Sequence, residues 1–138
     1  MIREMSKDAI APNMSQFQSP EMKKIVPFIL NLQEQGKVFD VLGVHEVATL
    51  VSLSIEREFR QQGLATEFYR RTIAFLKAKM YPAVEGCFSS PYARKIAEKL
   101  GFQELSSAYV AEYKDAKGEV VFPNAAPEDF ISIMALKL

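Results

Sequence analysis

The segment Arg60-Gln61-Gln62-Gly63-Leu64-Ala65-Thr66 combines the residue types and the setting of an anion cradle. It lies where an apolar, β-branched run over 48–56 gives way to a helical pattern over about 64–80. A helix N-terminus exposes unpaired N–H groups and a partial positive charge, and both favour phosphate. Gly63 lets the backbone approach phosphate oxygens with no Cβ in the way, and small Ala65 keeps the first turn open. Arg60 adds charge and Thr66 a hydroxyl. No Gly-Lys-Ser/Thr follows as in a P-loop, and no second glycine stands two residues from Gly63 as a dinucleotide fingerprint requires. Taken alone, the same letters also describe an ordinary helix start beside a surface arginine. The surrounding elements must decide.

The other chemically capable residues are scattered. His45 is the only histidine and has no Cys, Asp or second His at ligand spacing, so it reads as a loop residue and no metal is expected. Cys87 is the single cysteine; it cannot form an internal disulfide, fits a reducing compartment and reads as a small core side chain. Ser89 and Ser90 stand before Pro91, where either can cap a helix. Tyr109 and Tyr113 share one face of an expected strand and read as core.

The elements that must hold these residues follow from periodicity and punctuation. Residues 1–18 lack periodicity and are expected to form a loose N-terminal segment, with one domain over 19–138. Ser19-Pro20-Glu21 opens a helix whose apolar residues are Met22, Ile25, Val26, Ile29 and Leu30. Pro27 is expected to kink or break it and Gly36 to stop it. A strand over 48–56 puts Val51, Leu53 and Ile55 on one face. In the following helix Leu64, Ala65, Phe68, Tyr69, Thr72, Ile73, Phe75 and Leu76 form a wide buried stripe. A strand over 82–88 leads into a helix ending at Leu100, with Gly101 in the left-handed position and Phe102 folding back. Strands over 105–114 and 130–136 close the chain, with a turn at Asp115-Ala116-Lys117-Gly118. The fold class is α/β (α+β): a mixed, partly parallel sheet with helices on both faces.

Composition excludes several classes of partner. Lys plus Arg total 17 and Asp plus Glu total 17, so no net field recruits nucleic acid or an anionic membrane. The apolar runs 25–32 and 47–53 fall short of the roughly 20 residues of a membrane span. The opening residues lack the apolar core of a signal peptide, and a soluble cytoplasmic protein is expected.

The order strand, Arg-x-x-Gly-x-Ala, helix, strand, then a helix ending Ala97-Glu98-Lys99-Leu100-Gly101-Phe102 resembles the GNAT superfamily of N-acetyltransferases. Within it, Phe88-Ser89-Ser90-Pro91-Tyr92, Glu112-Tyr113-Lys114, Gly118-Glu119-Val120-Val121-Phe122 and Ala125-Ala126-Pro127 look like the insect arylalkylamine (dopamine) N-acetyltransferases. The likeness covers residues 20–138, the C-terminal part of that fold, and implies that the strands upstream of it are lacking.

The resemblance implies direct transfer of an acetyl group from acetyl-CoA, a cosubstrate, to a small primary amine. It places the pyrophosphate on Arg60, Gln61, Gln62, Gly63, Leu64, Ala65 and Thr66. The pantetheine arm falls on Leu53, Ser54 and Ile55, and Tyr92 touches CoA or packs. Ser89 matches the first of two family serines that serve catalysis, while the second falls on Ala93. Ala97 stands where many members carry a tyrosine, and Glu128 where relatives carry a histidine. The family's glutamate base comes from upstream of the likeness. Glu46 and Glu56, flanking the strand over 48–56, are substitutes or plain surface charges. The alternative is a non-catalytic CoA-binding or interaction module derived from such an enzyme. An uncovered sheet edge would favour homo-oligomers.

Overall fold

The computed structural model describes residues 2–6, 19–50 and 57–138. Its described strands form one five-stranded sheet in the order β1-β2-β3-β5-β4: β1 Ile2–Ser6, β2 Glu46–Leu50, β3 Ala83–Phe88, β4 Gln103–Tyr109 and β5 Phe130–Lys137. Only β2 and β3 run parallel, through Ala48↔Val84, Thr49↔Glu85 and Leu50↔Gly86; every other neighbouring pair is antiparallel. The sheet is therefore mixed, and the parallel pair is bridged by a helix as parallel strands require.

Alternation along β3 sends its side chains to two different layers. Val84 and Phe88 meet α3 (Leu64–Ala78) and α4 (Pro91–Lys99) in a core with Leu76, Ala97, Phe102 and Met134. Ala83 and Cys87 face the other way, toward α1 (Pro20–Gly36) and α2 (Val38–Leu42), where Phe28, Leu32, Val38 and Leu42 pack on Val47, Ile131, Ile133 and Ala135. Helices thus cover both faces, as expected.

Several expectations need correction. Residues 2–6 are not loose: they pair antiparallel with β2 from Ile2↔Leu50 to Ser6↔Glu46. Their ladder partner lies forty or more residues away, and no local pattern encodes it. One strand therefore precedes the first one expected. Helix α1 runs unbroken through Pro27. An interior proline costs about 3 kcal/mol, but burying Phe28 and Leu32 gives back about 1.5–3 kcal/mol each, so packing outweighs the break. Of the stripe read from the sequence, Ile25 faces the sheet with these two, while Val26, Ile29 and Leu30 are half-buried beside them. The left-handed residue after α1 is Lys37 (φ 49°). Gly36 instead marks a close approach, since a Cβ there would sit 3.0 Å from Leu105 Cβ on β4. Between α1 and β2 lies α2, to which the sequence assigned no element.

Helix α3 meets the sheet on a narrower stripe than its apolar letters suggest. Tyr69, Ile73 and Leu76 pack inward, whereas Phe68 and Phe75 are each 53% exposed. Cys87 packs in the α1-side core as expected; Tyr113 does so too, against Phe28 at 4.4 Å. Tyr109 is 45% exposed and lies against Phe130, so it is not core, and Tyr113 lies past the end of β4. Among the described residues no helix is long and apolar enough to cross a membrane.

Helix α4 is framed by local hydrogen bonds, and its start faces the candidate site. Ser90 is its N-cap, accepting from Tyr92 N–H at 3.2 Å and Ala93 N–H at 3.5 Å, with Pro91 at the first helical position. At the other end Gly101 (φ 97°) allows Phe102 N–H to reach Ala97 C=O at 2.9 Å and Gly101 N–H to reach Glu98 C=O at 3.1 Å. Ser90→Ala should lower stability by about 1 kcal/mol and the melting temperature by about 4 °C, read by thermal denaturation. An unchanged melting temperature would remove Ser90 from the cap.

Candidate functional site

Helices α3 and α4 both begin at the carboxyl ends of the parallel strands β2 and β3. That end of an α/β sheet is where loops and helix N-termini converge on ligands. A cavity of about 570 Å³ opens there. The turn before α3 contributes Phe59, Arg60, Gln61 and Gly63; α3 contributes Leu64, Ala65 and Tyr69. Its far wall is Ser90, Tyr92, Ala93 and Ile96 from the start of α4.

The turn is shaped for an anion by its backbone. Gln61 (φ 62°) and Gly63 (φ 75°) are both left-handed, on either side of Gln62. Alternation of this kind turns successive amides toward one side, the geometry of an anion nest. The repeating bonds of α3 open with Glu67 N–H to Gly63 C=O at 3.1 Å, so the amides of Leu64, Ala65 and Thr66 precede its repeating pattern. No side-chain cap accepts from them, because Gly63 occupies the N-cap position. Among the described residues they stay available to an external acceptor, at the positive end of a helix of 15 residues. A Cβ built on Gly63 would meet nothing within 4 Å, so the glycine serves conformation and access rather than local packing.

The structure gathers most of the sequence-nominated residues and separates others. Arg60, Gln61, Gly63, Leu64, Ala65 and Tyr92 line the cavity. Gln62 turns its side chain back to Glu58 C=O at 3.4 Å, and Thr66 is half-buried outside the cavity wall. Leu53, Ser54, Ile55 and Glu56 lie outside the described residues. Ser89 is exposed one residue before the cap, and Ser90 holds the cap. His45 is exposed before β2. Glu46 opens β2 beside Lys79 and Met80 at the end of α3, the opposite end of the strands from the cavity. That distance along the strand removes it as a substitute base.

Residues not nominated from sequence complete the walls. Tyr69 points from α3 toward Phe88 (6.0 Å between ring centroids), and burial raises its phenol above the usual range. Beneath the cavity, on the opposite face, Glu85 is fully buried. Its Oε1 accepts from Gln33 Nε2 at 2.9 Å. Burial pushes its carboxyl up to about 7, against the lowering effect of that hydrogen bond. The signal was present in the sequence: a carboxylate inside Ala83-Val84-Glu85-Gly86-Cys87 has no exposed face to occupy. Cys87, on the same face, is pushed up to about 11 by burial and then by the charge of Glu85, so its thiol stays protonated near neutrality and is a poor nucleophile.

No family model matches the chain. Solved structures do. A putative arylalkylamine N-acetyltransferase 7 from the yellow fever mosquito is 26% identical with a TM-score of 0.85, covering 99% of this chain and 56% of that one. A mosquito arylalkylamine N-acetyltransferase like 5b is 20% identical with a TM-score of 0.88, covering 100% of this chain and 66% of that one. An acetyltransferase from Bacillus subtilis in complex with CoA is 14% identical with a TM-score of 0.51, covering 67% of this chain and 61% of that one. The chain spans between about half and two thirds of the length of these solved chains.

Proposed function

We propose that this chain, whose fold is that of the GNAT acetyltransferases, binds acetyl-CoA between the starts of α3 and α4 and supports acetyl transfer to a small primary amine of the arylalkylamine type. The observation that carries the reading is the cavity walled by the left-handed Gln61 and Gly63 and by the uncapped amides of Leu64, Ala65 and Thr66. Its volume suits a bound nucleotide-sized ligand. The diphosphate accepts from those amides, with Arg60 at the rim. Tyr92, 58% exposed on the far wall, offers an aromatic face to the arm of the coenzyme. The pantetheine and thioester run on toward Leu53, Ser54 and Ile55.

The chemistry asked of the site is modest. A neutral amine attacks the thioester carbonyl, the C–S bond breaks, the departing thiolate takes a proton, and the acylated nitrogen gives up one of its own to restore the donor. Ser89, exposed at the end of β3 and free of the capping role that Ser90 fills, is the proposed donor. Direct transfer is favoured because Cys87 is held protonated, which leaves the strand beneath the site without a thiolate to carry an acyl group.

A second reading, a CoA-binding module without turnover, is favoured by Ala93 and Ala97. Ala93 lines the cavity and Ala97 is buried beneath it, so two positions that carry hydroxyls in many members of the family carry methyl groups here. Release of free thiol from acetyl-CoA, measured with and without tryptamine or dopamine, separates the two. Amine-dependent release is the expected result. CoA binding without release would replace the enzyme by the module.

A further inference from the structure

Tyr69 stands one helical turn after Ala65 on α3, half-buried in the wall of the cavity. Its ring packs on the core beneath the site: Phe88 lies 6.0 Å away between ring centroids, and Phe88 in turn meets Phe102 edge-on at 5.9 Å. The Phe88 ring is itself seated over Gly86, where a Cβ would come within 2.9 Å of it. Close-packed groups therefore hold the Tyr69 ring from below.

The hydroxyl on that ring is not used by the fold. Among the described residues it exchanges no hydrogen bond, and burial alone raises the phenol above its usual range. Nor is it sealed, because the sealed side-chain oxygens without a partner are those of Thr49 and Glu85. A tyrosine with its body in the core and an open tip turns that tip to the space it borders, which for Tyr69 is the cavity. Helical side chains lean toward the helix N-terminus and cover the turn before their own Cα. Tyr69 therefore reaches back over Ala65 and Thr66, toward the amides that no side chain caps. The single methyl of Ala65 leaves that path open. Phenylalanine at position 69 would pack on Phe88 equally well, so the core does not ask for the oxygen.

We propose that the Tyr69 hydroxyl donates a hydrogen bond to the diphosphate of the coenzyme, as a side-chain donor beside the backbone amides that open α3. The proposal rests on the acetyl-CoA reading above and adds a binding residue to it. The amides meet the anion at the mouth of the helix, whereas the hydroxyl meets it from the floor of the cavity. An anion drawn against Ala93 and Ile96 gives up water there, and the hydroxyl replaces part of what is lost. A phenol that burial keeps protonated donates without charge of its own, so it does not oppose the anion at neutral pH.

The test is binding of CoA and of ADP to the full chain, since the two ligands share a diphosphate and only CoA carries the pantetheine arm. Tyr69→Phe keeps the ring and removes the oxygen, so its melting temperature should stay within a few degrees of wild type. Its CoA affinity, read by calorimetry, should fall about tenfold or more, as for loss of a hydrogen bond to a charged group. Its affinity for ADP, read by displacement of CoA, should fall by the same factor. Tyr109→Phe is the control; Tyr109 lies against Phe130 outside the cavity, and neither affinity should change. In wild type the carbon NMR signal of Tyr69 Cζ should move as ADP is added, which decides the matter even where the variant folds poorly. CoA affinity of a folded Tyr69→Phe within about twofold of wild type would overturn the proposal. So would a Cζ signal that stays put at saturation, a loss confined to CoA, or ADP that fails to displace CoA from wild type, because the hydroxyl would then meet some other part of the coenzyme or none. Wild-type protein that binds no CoA would instead overturn the acetyl-CoA reading, and this role with it.

Discussion

Gly63→Asp should weaken CoA binding by about 100-fold while leaving the melting temperature within a few degrees of wild type. Gly63 is left-handed at φ 75°, ψ 11°, and a Cβ there meets nothing within 4 Å. Aspartate is among the few residues that visit this region at small cost, and its side chain can offer the uncapped amides an acceptor. Both effects protect the fold. The carboxylate, however, would stand where a diphosphate must dock and would compete for the same N–H groups. At about 5 Å and an effective dielectric constant near 20, each pair of like charges costs about 3 kcal/mol, and every 1.4 kcal/mol is about tenfold in affinity. Calorimetric titration with CoA reads the effect. Gly118→Asp is the control, because Gly118 is also left-handed (φ 81°), is equally open and does not line the cavity. Equal affinities for the two variants would contradict the assignment of the turn.

Stability should fall by up to about 3 kcal/mol as pH rises from about 5 to about 8, and Glu85→Gln should flatten that fall. The Glu85 carboxyl titrates near 4.5 when exposed and at about 7 in the folded chain. Between those values the folded state holds a proton that the unfolded state has released. The stabilisation is therefore complete below the unfolded pKa and is lost as pH rises through the folded one. The gap corresponds to about 3.5 kcal/mol at about 1.4 kcal/mol per pH unit, most of it lost between about pH 5 and pH 8. Urea denaturation at both pH values, for wild type and Glu85→Gln, isolates this group from the background of other titrations. Parallel pH dependences for the two proteins would mean that the carboxyl is already ionised and paired in the folded state.

What the sequence made legible was local. Ser90-Pro91 and Gly101-Phe102 announce the ends of α4 because each acts through hydrogen bonds to residues within five positions along the chain. The turn at Gly63 was legible for the same reason, since a helix start and a left-handed glycine are short-range features. Strand β1 was hidden because only its ladder with β2 makes it a strand. The inward face of α3 was read too wide: Phe68 and Phe75 extend the apolar pattern, yet a flat sheet covers only the stripe of Tyr69, Ile73 and Leu76. Pro27 misled because its penalty is local, while the burial that overrides it depends on β5 and the segment carrying Phe122. Glu85 needed both kinds of information. Its presence in an apolar strand was visible, but the orphaned partner across the ladder was not.

The exposed Phe68 and Phe75, with Lys79 5.8 Å from the Phe75 ring, lie along the outer face of α3. They do not enter the cavity described here. Their exposure leaves the site's geometry untouched, since its walls come from the first turns of α3 and α4 and from the turn that precedes them.

The most direct measurement is residue-resolved amide NMR of the chain titrated with CoA. The account predicts saturable shifts that are largest for the N–H groups of Gly63, Leu64, Ala65 and Thr66, followed by those of Tyr92 and Ala93. Saturable binding that leaves these amides unmoved and shifts others instead would contradict it.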